Sequence, residues 1–322
     1  MVNGSIAVIV SLTINSLFVY LLFTKTPKQL KHYARVMFIH VVNDTSFILA
    51  FYFVLPKFFP HNGQVFVILT NFSNLFGVYW STWITAVYYF FEILQLAFLP
   101  LDFFYRYRVV CKQHIMSSKT LAIVVGVTST VIFFQSMILS RLMLQQTPEY
   151  DITLRALLKV QKLPMYVATS TNPWLGYTNN CMNLMLVLFC FSMCGYVFYK
   201  IQCELKRSSR TSQNIKMVRL EKQVTRLMIV QSILPLIVTS IPFIVVSGCA
   251  QFNISMPRLG YFNSILATWN GTIKTIATIC VIPNYRNFVY KKIQVNRVIS
   301  TYHTNDQSLA SVSNKINFVR TT

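Results

Sequence analysis

The sequence predicts an all-α membrane protein, a bundle of seven transmembrane helices with its amino terminus outside. Three observations carry that prediction. Seven apolar stretches are each long enough to cross a hydrocarbon core of about 30 Å, which takes roughly 20 helical residues. Apolar residues make up 54% of the 322 and charged residues only 11%, against about 25% charged in ordinary soluble domains. Finally, the basic residues are sorted between alternate loops. A mean hydropathy of +0.50 leaves too few polar side chains to cover a soluble domain of this length.

The spans fall near residues 6–23, 34–55, 80–104, 121–140, 182–201, 227–247 and 261–282. The first has neither a basic segment before it nor a small-residue cleavage site. It therefore reads as an uncleaved anchor rather than a signal peptide. Residues 1–298 form the membrane domain, ending in a short amphipathic helix in which Phe288, Val289 and Ile293 alternate with Lys291 and Lys292. Such a helix lies along the inner leaflet. Residues 299–322 form a polar cytoplasmic tail.

The net charge of +21 would suit a nucleic-acid partner if the charge were clustered on a soluble face, but it is not. Lys25, Lys28, Lys31 and Arg35 follow the first span, and Arg106, Arg108, Lys112 and Lys119 follow the third. The loop after the fifth span carries a dense run from Lys200 to Arg226, and the tail adds Arg286, Lys291, Lys292, Arg297, Lys315 and Arg320. The alternate loops hold Lys57, Arg141, Arg155, Lys159, Lys162 and Arg258 alone. An excess of Lys and Arg marks the cytoplasmic side, and there it faces anionic lipid. Nucleic acid is excluded as a partner. Three glycosylation acceptor motifs, at Asn3, Asn71 and Asn253, fall on the opposite, outer side and agree with this orientation. Of the seven cysteines, Cys181 and Cys249 alone sit near the oxidising face, where a disulfide between them is possible. The remainder read as small apolar packing residues. No metal-ligand spacing, phosphate loop or nucleophile motif is present, so neither an enzyme nor a bound cofactor is expected.

Polar residues inside the spans carry the functional information. Asn15, Asp44, Glu92, Gln95, Gln231 and Lys274 are the conspicuous ones. A charge at the bilayer centre costs about 2.5–3.5 kcal/mol on insertion scales and must face inward toward a partner. Lys274 therefore requires a carboxylate, either Asp44 or Glu92, and Asn15 joins the same polar network. The network is either structural or part of a ligand site. Trp80, Trp83, Tyr88, Tyr261 and Trp269 are candidate lining for an outer pocket, unless they form an interfacial aromatic belt. The outer loop 141–178 would lid such a pocket.

The third span ends Asp102-Phe103-Phe104-Tyr105-Arg106-Tyr107. The sixth reads Gln231-Ser232-Ile233-Leu234-Pro235 with a second proline at Pro242, and the seventh runs from Gly271-Thr272-Ile273-Lys274 to Pro283-Asn284-Tyr285-Arg286. In these motifs the chain resembles the nematode serpentine chemoreceptors of the Str superfamily, which share a rhodopsin-like, G-protein-coupled receptor architecture. The seventh span looks most like the srh class, and Tyr105-Arg106-Tyr107 looks more like the str and srd classes. Two positions depart from the srh pattern: Lys274 replaces a small polar residue, and Asn284 replaces the proline before Tyr285-Arg286.

The resemblance implies a chemosensory receptor of olfactory or pheromone type in the ciliary plasma membrane of sensory neurons. It would bind a small molecule in the outer half and signal through a heterotrimeric G protein. Arg106, flanked by Tyr105 and Tyr107, would be the switch arginine. Asp102, one turn earlier, or Glu221 would be its resting partner, with Tyr285 and Arg286 beside it. Pro235 and Pro242 would bend the sixth helix. The competing reading is a transporter or channel that uses Lys274, Glu92 and Asp44 as a polar pathway.

Overall fold

A computed structural model of the chain describes residues 2–26, 31–72, 76–112, 115–144, 146–170, 174–211, 229–230, 233–292 and 294. Glu221, Gln231 and the tail 299–322 lie outside the described residues. Helices α1 (Val2–Thr24), α2 (Lys31–Val54), α3 (Gly77–Lys112), α4 (Ser118–Leu142) and α6 (Trp174–Thr211) are each long and apolar enough to cross a membrane. The sixth span is described from Ile233. It passes through a π-helical segment (Leu236–Ser240) into α7 (Ile241–Gln251). The seventh is α8 (Pro257–Val281), which turns by 95° into α9 (Pro283–Lys292). In a bilayer, helices satisfy every backbone polar group internally, so each apolar run folds into the same element.

Two spans are much longer than their apolar cores. At 36 and 38 residues, α3 and α6 extend roughly 54 and 57 Å at 1.5 Å per residue. Their polar ends, with Arg106, Arg108 and Lys112 on α3 and Glu204, Lys206 and Arg207 on α6, therefore stand clear of the hydrocarbon. Helix α3 forms the hub and packs against α2, α4 and α6, while α1 fits between α2 and α8. The inner half of the core gathers Phe18 and Leu21 of α1, Val36 and Met37 of α2, Phe98 and Phe103 of α3, and Ile279 of α8.

Between the spans, where the sequence predicts loops, the outer segments fold into a four-stranded antiparallel sheet. Strands β1 (Pro56–His61), β2 (Gln64–Leu69), β3 (Met143–Leu144) and β4 (Tyr166–Ser170) lie in the order β1-β2-β4-β3. The β1–β2 hairpin closes at Asn62-Gly63, both with positive φ (46° and 75°), the conformation of a two-residue type I′ turn. Alternation across the pleat gives the sheet two apolar faces. Phe58, Val67, Leu69 and Val167 face the bundle. Phe59, Phe66, Ile68, Tyr166 and Ala168 face outward and are covered by Leu154, Tyr150 and Leu157 of α5 (Pro148–Leu158).

Helix α5 is locally well specified. Thr147 caps it by accepting a hydrogen bond from the Tyr150 N–H, Pro148 opens it, Glu149 and Asp151 fill its first turn, and Lys159 ends it in the left-handed region. Acidic residues there complement the helix dipole. Asp151 also accepts a 2.6 Å hydrogen bond from the Tyr166 hydroxyl. Burial and that bond together hold the Tyr166 phenol well above its usual range.

The sheet meets the bundle at Gly260. A Cβ built there would lie 1.5 Å from the Phe58 carbonyl oxygen, so only glycine lets α8 approach β1 this closely. One turn on, Ser264 Oγ donates to the Pro56 carbonyl at 2.8 Å. Gly260→Ala is expected to destabilise the protein by about 1–3 kcal/mol, as overpacking does, and to reduce its surface display. Gly126→Ala on α4, where the added Cβ meets nothing within 4 Å, should leave both unchanged. Thermal unfolding in detergent and cell-surface labelling check the pair.

Candidate functional site

The polar residues of the spans separate into a central layer, an outer cavity and an inner ion pair. In the central layer, Lys274 of α8 meets Asp44 of α2, with Nζ at 2.7 and 2.6 Å from the two carboxylate oxygens. Asn15 of α1 accepts from Thr275 at 2.9 Å and donates to Thr45 of α2 at 3.1 Å. Asn270 of α8 donates to Gln95 of α3 at 3.2 Å, and Ser11 of α1 is hydrogen-bonded to Thr272. Four spans are thus joined at one level by polar contacts.

Glu92 does not belong to this layer, contrary to the sequence expectation. Lys274 points toward α2, where Asp44 takes it. Glu92 of α3 points instead toward α6 and α7 and lines two neighbouring spaces. The larger, with a cavity volume of about 60 Å³, is bounded by α3, α4, α6, α7 and α8 and roofed by Phe58, Val65 and Thr169 of the sheet. Besides Thr169, its polar lining is Glu92, Asn179, Asn180, Asn183, Ser247 and Asn263. Asn183 accepts from Gln135 of α4, and Asn180 donates to Gln251 of α7 at 3.1 Å. The Oε2 of Glu92 has no hydrogen-bond partner among the described residues, although Glu92 is only 7% exposed.

The expected aromatic lining is also corrected. Trp80 is 57% exposed and faces outward as an interfacial residue does. Trp83 and Trp269 are half-buried, and Tyr88 is buried against Phe47 and Phe51 of α2. The rings that do line the cavity are Tyr89 and Phe58. The asparagines were not among the expected lining residues, although Asn179, Asn180 and Asn183 cluster at the outer end of an otherwise apolar span. That cluster was the available signal.

At the inner end, Arg106 is completely buried and forms a two-pronged pair with Asp102 one turn earlier, at 2.8 and 3.1 Å. Its guanidinium also lies 6.0 Å from the Tyr33 ring, which packs edge-on against Tyr105. Tyr107 is half-buried. Tyr285 is buried beneath Phe18 and shares a 2.6 Å hydrogen bond with Thr26, whereas Arg286 is exposed. Helix α9 lies against α1, with Phe288 beside Tyr20 and under Lys25 Nζ at 4.9 Å.

Pro235 and Pro242 bracket the π-helical segment. The expected disulfide is not formed. Cys181 faces outward on α6, whereas Cys249 is buried on α7 with its Sγ 3.9 Å from the Met256 sulfur, and both are free thiols. Asn3 and Asn253 are exposed. Asn71 is half-buried, and its side-chain amide donates to the Tyr52 carbonyl at 2.6 Å, the same nitrogen that a glycan would occupy.

The long apolar helices, the described part of the sixth span and the bent α8–α9 pair make up a helical membrane bundle. The chain belongs to the serpentine type 7TM GPCR chemoreceptor family Str, whose family model matches residues 2–290. The fold is shared with squid rhodopsin, whose crystal structure matches with a TM-score of 0.56 and 14% identity over 91% of this chain and 84% of that one. No curated protein matches the chain in sequence.

Removing Lys274 would leave Asp44 as a buried charge without its partner, a loss that costs about 3–5 kcal/mol. Lys274→Met is therefore expected to be retained inside the cell. Adding Asp44→Leu should restore much of the surface population, because it removes the stranded charge. Flow cytometry of an amino-terminal tag on the single and double variants reads the difference.

Proposed function

We propose that the protein is a G-protein-coupled chemosensory receptor of olfactory or pheromone type. A small molecule binds in the cavity beneath the outer sheet, and a heterotrimeric G protein is engaged at the basic inner face, with the amino terminus outside. The observation that carries this reading is the buried Asp102–Arg106 pair, set at the opposite end of α3 from a roofed cavity. An arginine held by a carboxylate on its own helix is masked until that bond opens. Its planar fork then suits the terminal carbonyls of a G-protein helix. An apolar cleft beside it, among the described residues lined by Phe103, Phe191, Phe198, Ile229 and Ile233, suits the apolar side of such a helix. Pro235 and Pro242 supply the bend through which ligand binding opens the cleft. On this reading the protein sits in the ciliary membrane of sensory neurons. The transporter alternative needs Glu92 in line with Lys274 and Asp44, and these groups face different helices.

In cells carrying a G-protein reporter, Asp102→Asn should raise ligand-independent signalling several-fold, because it weakens the bond that masks Arg106. The double variant Asp102→Asn/Arg106→Ala, which strands no charge, should reach the surface and fail to signal. Signalling by the double variant equal to that of the wild type would remove Arg106 from the mechanism.

A further inference from the structure

Glu92 is a carboxylate more than nine-tenths buried, its Oε2 has no partner among the described residues, and it borders both outer spaces. The Lys274–Asp44 and Arg106–Asp102 ion pairs lie elsewhere. The chain carries 29 Lys and Arg against 8 Asp and Glu, yet the described residues lining the larger cavity include no Lys, Arg or His. Glu92 is the single carboxyl group among those lining residues. A cavity with one acidic group in so basic a protein favours a cationic guest and repels carboxylates and phosphates.

The remaining lining fits the same guest. Tyr89 and Phe58 present rings with centroids 6.3 Å apart, and aromatic faces attract cations. Buried Asn179 and Asn263 bring amide oxygens that accept N–H bonds. Ile93, Leu139 and Val246 supply an apolar remainder for a small hydrocarbon body.

We propose that the ligand taken by this cavity is a small protonated amine, its ammonium seated on Glu92 and its apolar body lying between Tyr89, Leu139 and Val246. This rests on the reading of the cavity as the receptor's ligand site. Binding supplies the partner that the Glu92 oxygen lacks, through a charge-assisted hydrogen bond in a water-poor site.

The test uses the full chain in lipid nanodiscs at pH 7 and four probes of one skeleton: 2-phenylethylamine, 2-phenylethanol, phenylacetaldehyde and phenylacetate. Thermal stabilisation is titrated for each. The amine alone should raise the Tm. Glu92→Gln, which keeps shape and removes charge, should weaken that response by about tenfold or more, and Glu92→Asp should keep the preference for the amine. Three results would overturn the inference: an amine response no stronger than the alcohol's, an amine response indifferent to Glu92→Gln, or no response to any probe. A response to the alcohol or aldehyde would still leave the cavity as a ligand site. The receptor reading itself stands or falls on the signalling of the Asp102 and Arg106 variants, which needs none of these probes.

Discussion

The Lys274–Asp44 pair is the constraint around which the bundle is arranged. Neither charge has water to solvate it at that depth, so each is tolerable only beside the other. Satisfying both fixes the azimuth of α8 and of α2, and the fixed faces determine the rest of the layer. Thr275, one residue after Lys274, reaches Asn15 of α1, and Asn270, one turn before it, reaches Gln95 of α3. Gly271 faces the same carboxylate, its would-be Cβ only 3.7 Å from the Asp44 Cβ. The first, second, third and seventh spans are thereby joined into one polar-braced group. The cavity and the apolar inner cleft both open between that group and the fifth and sixth spans.

The outer sheet does for the extracellular end what the ion pair does for the middle. A loop left open above the bundle would expose the apolar row Phe58, Val67 and Val167 to water. Pairing it into strands satisfies its backbone and turns that row down onto the core. The opposite row then needs its own cover, which α5 provides. The roof is built on the bundle side from Gly260 and Ser264 of α8, so the helix that carries Lys274 also anchors the cover of the outer cavity.

The long apolar helices and the buried pairing of Lys274 with a carboxylate were legible in the sequence because hydrocarbon imposes a strong and simple rule on each residue. The sheet was harder to read. Its strands are short apolar runs between longer ones, and only Asn62-Gly63, between the alternating rows of β1 and β2, signalled a hairpin. Azimuth was not legible at all for Glu92. Depth in the membrane places it near Lys274, but only packing decides that one faces α6 and the other α2. Trp80 misled for a related reason, since a ring that prefers the membrane interface is as well served facing lipid as facing a pocket. The contact of Arg106 with Asp102 was readable, because a spacing of four residues on one helix fixes both direction and distance.

The π-helical turn between Pro235 and Pro242 has a geometric consequence of its own. Within Leu236–Ser240 the chain closes one residue later than an α-helix does, the Ile241 N–H reaching back to the Leu236 carbonyl. One surplus residue amounts to about 100° of helical phase. The side chains on the cytoplasmic side of the bulge therefore face about a quarter turn away from where an unbroken helix would aim them. Ile233, which borders the inner cleft, owes its direction to that offset. Were the surplus residue to be absorbed, the inner half of the span would rotate about its own axis like a key in a lock. The sixth span thus holds a torsional coordinate beside the bend its prolines create.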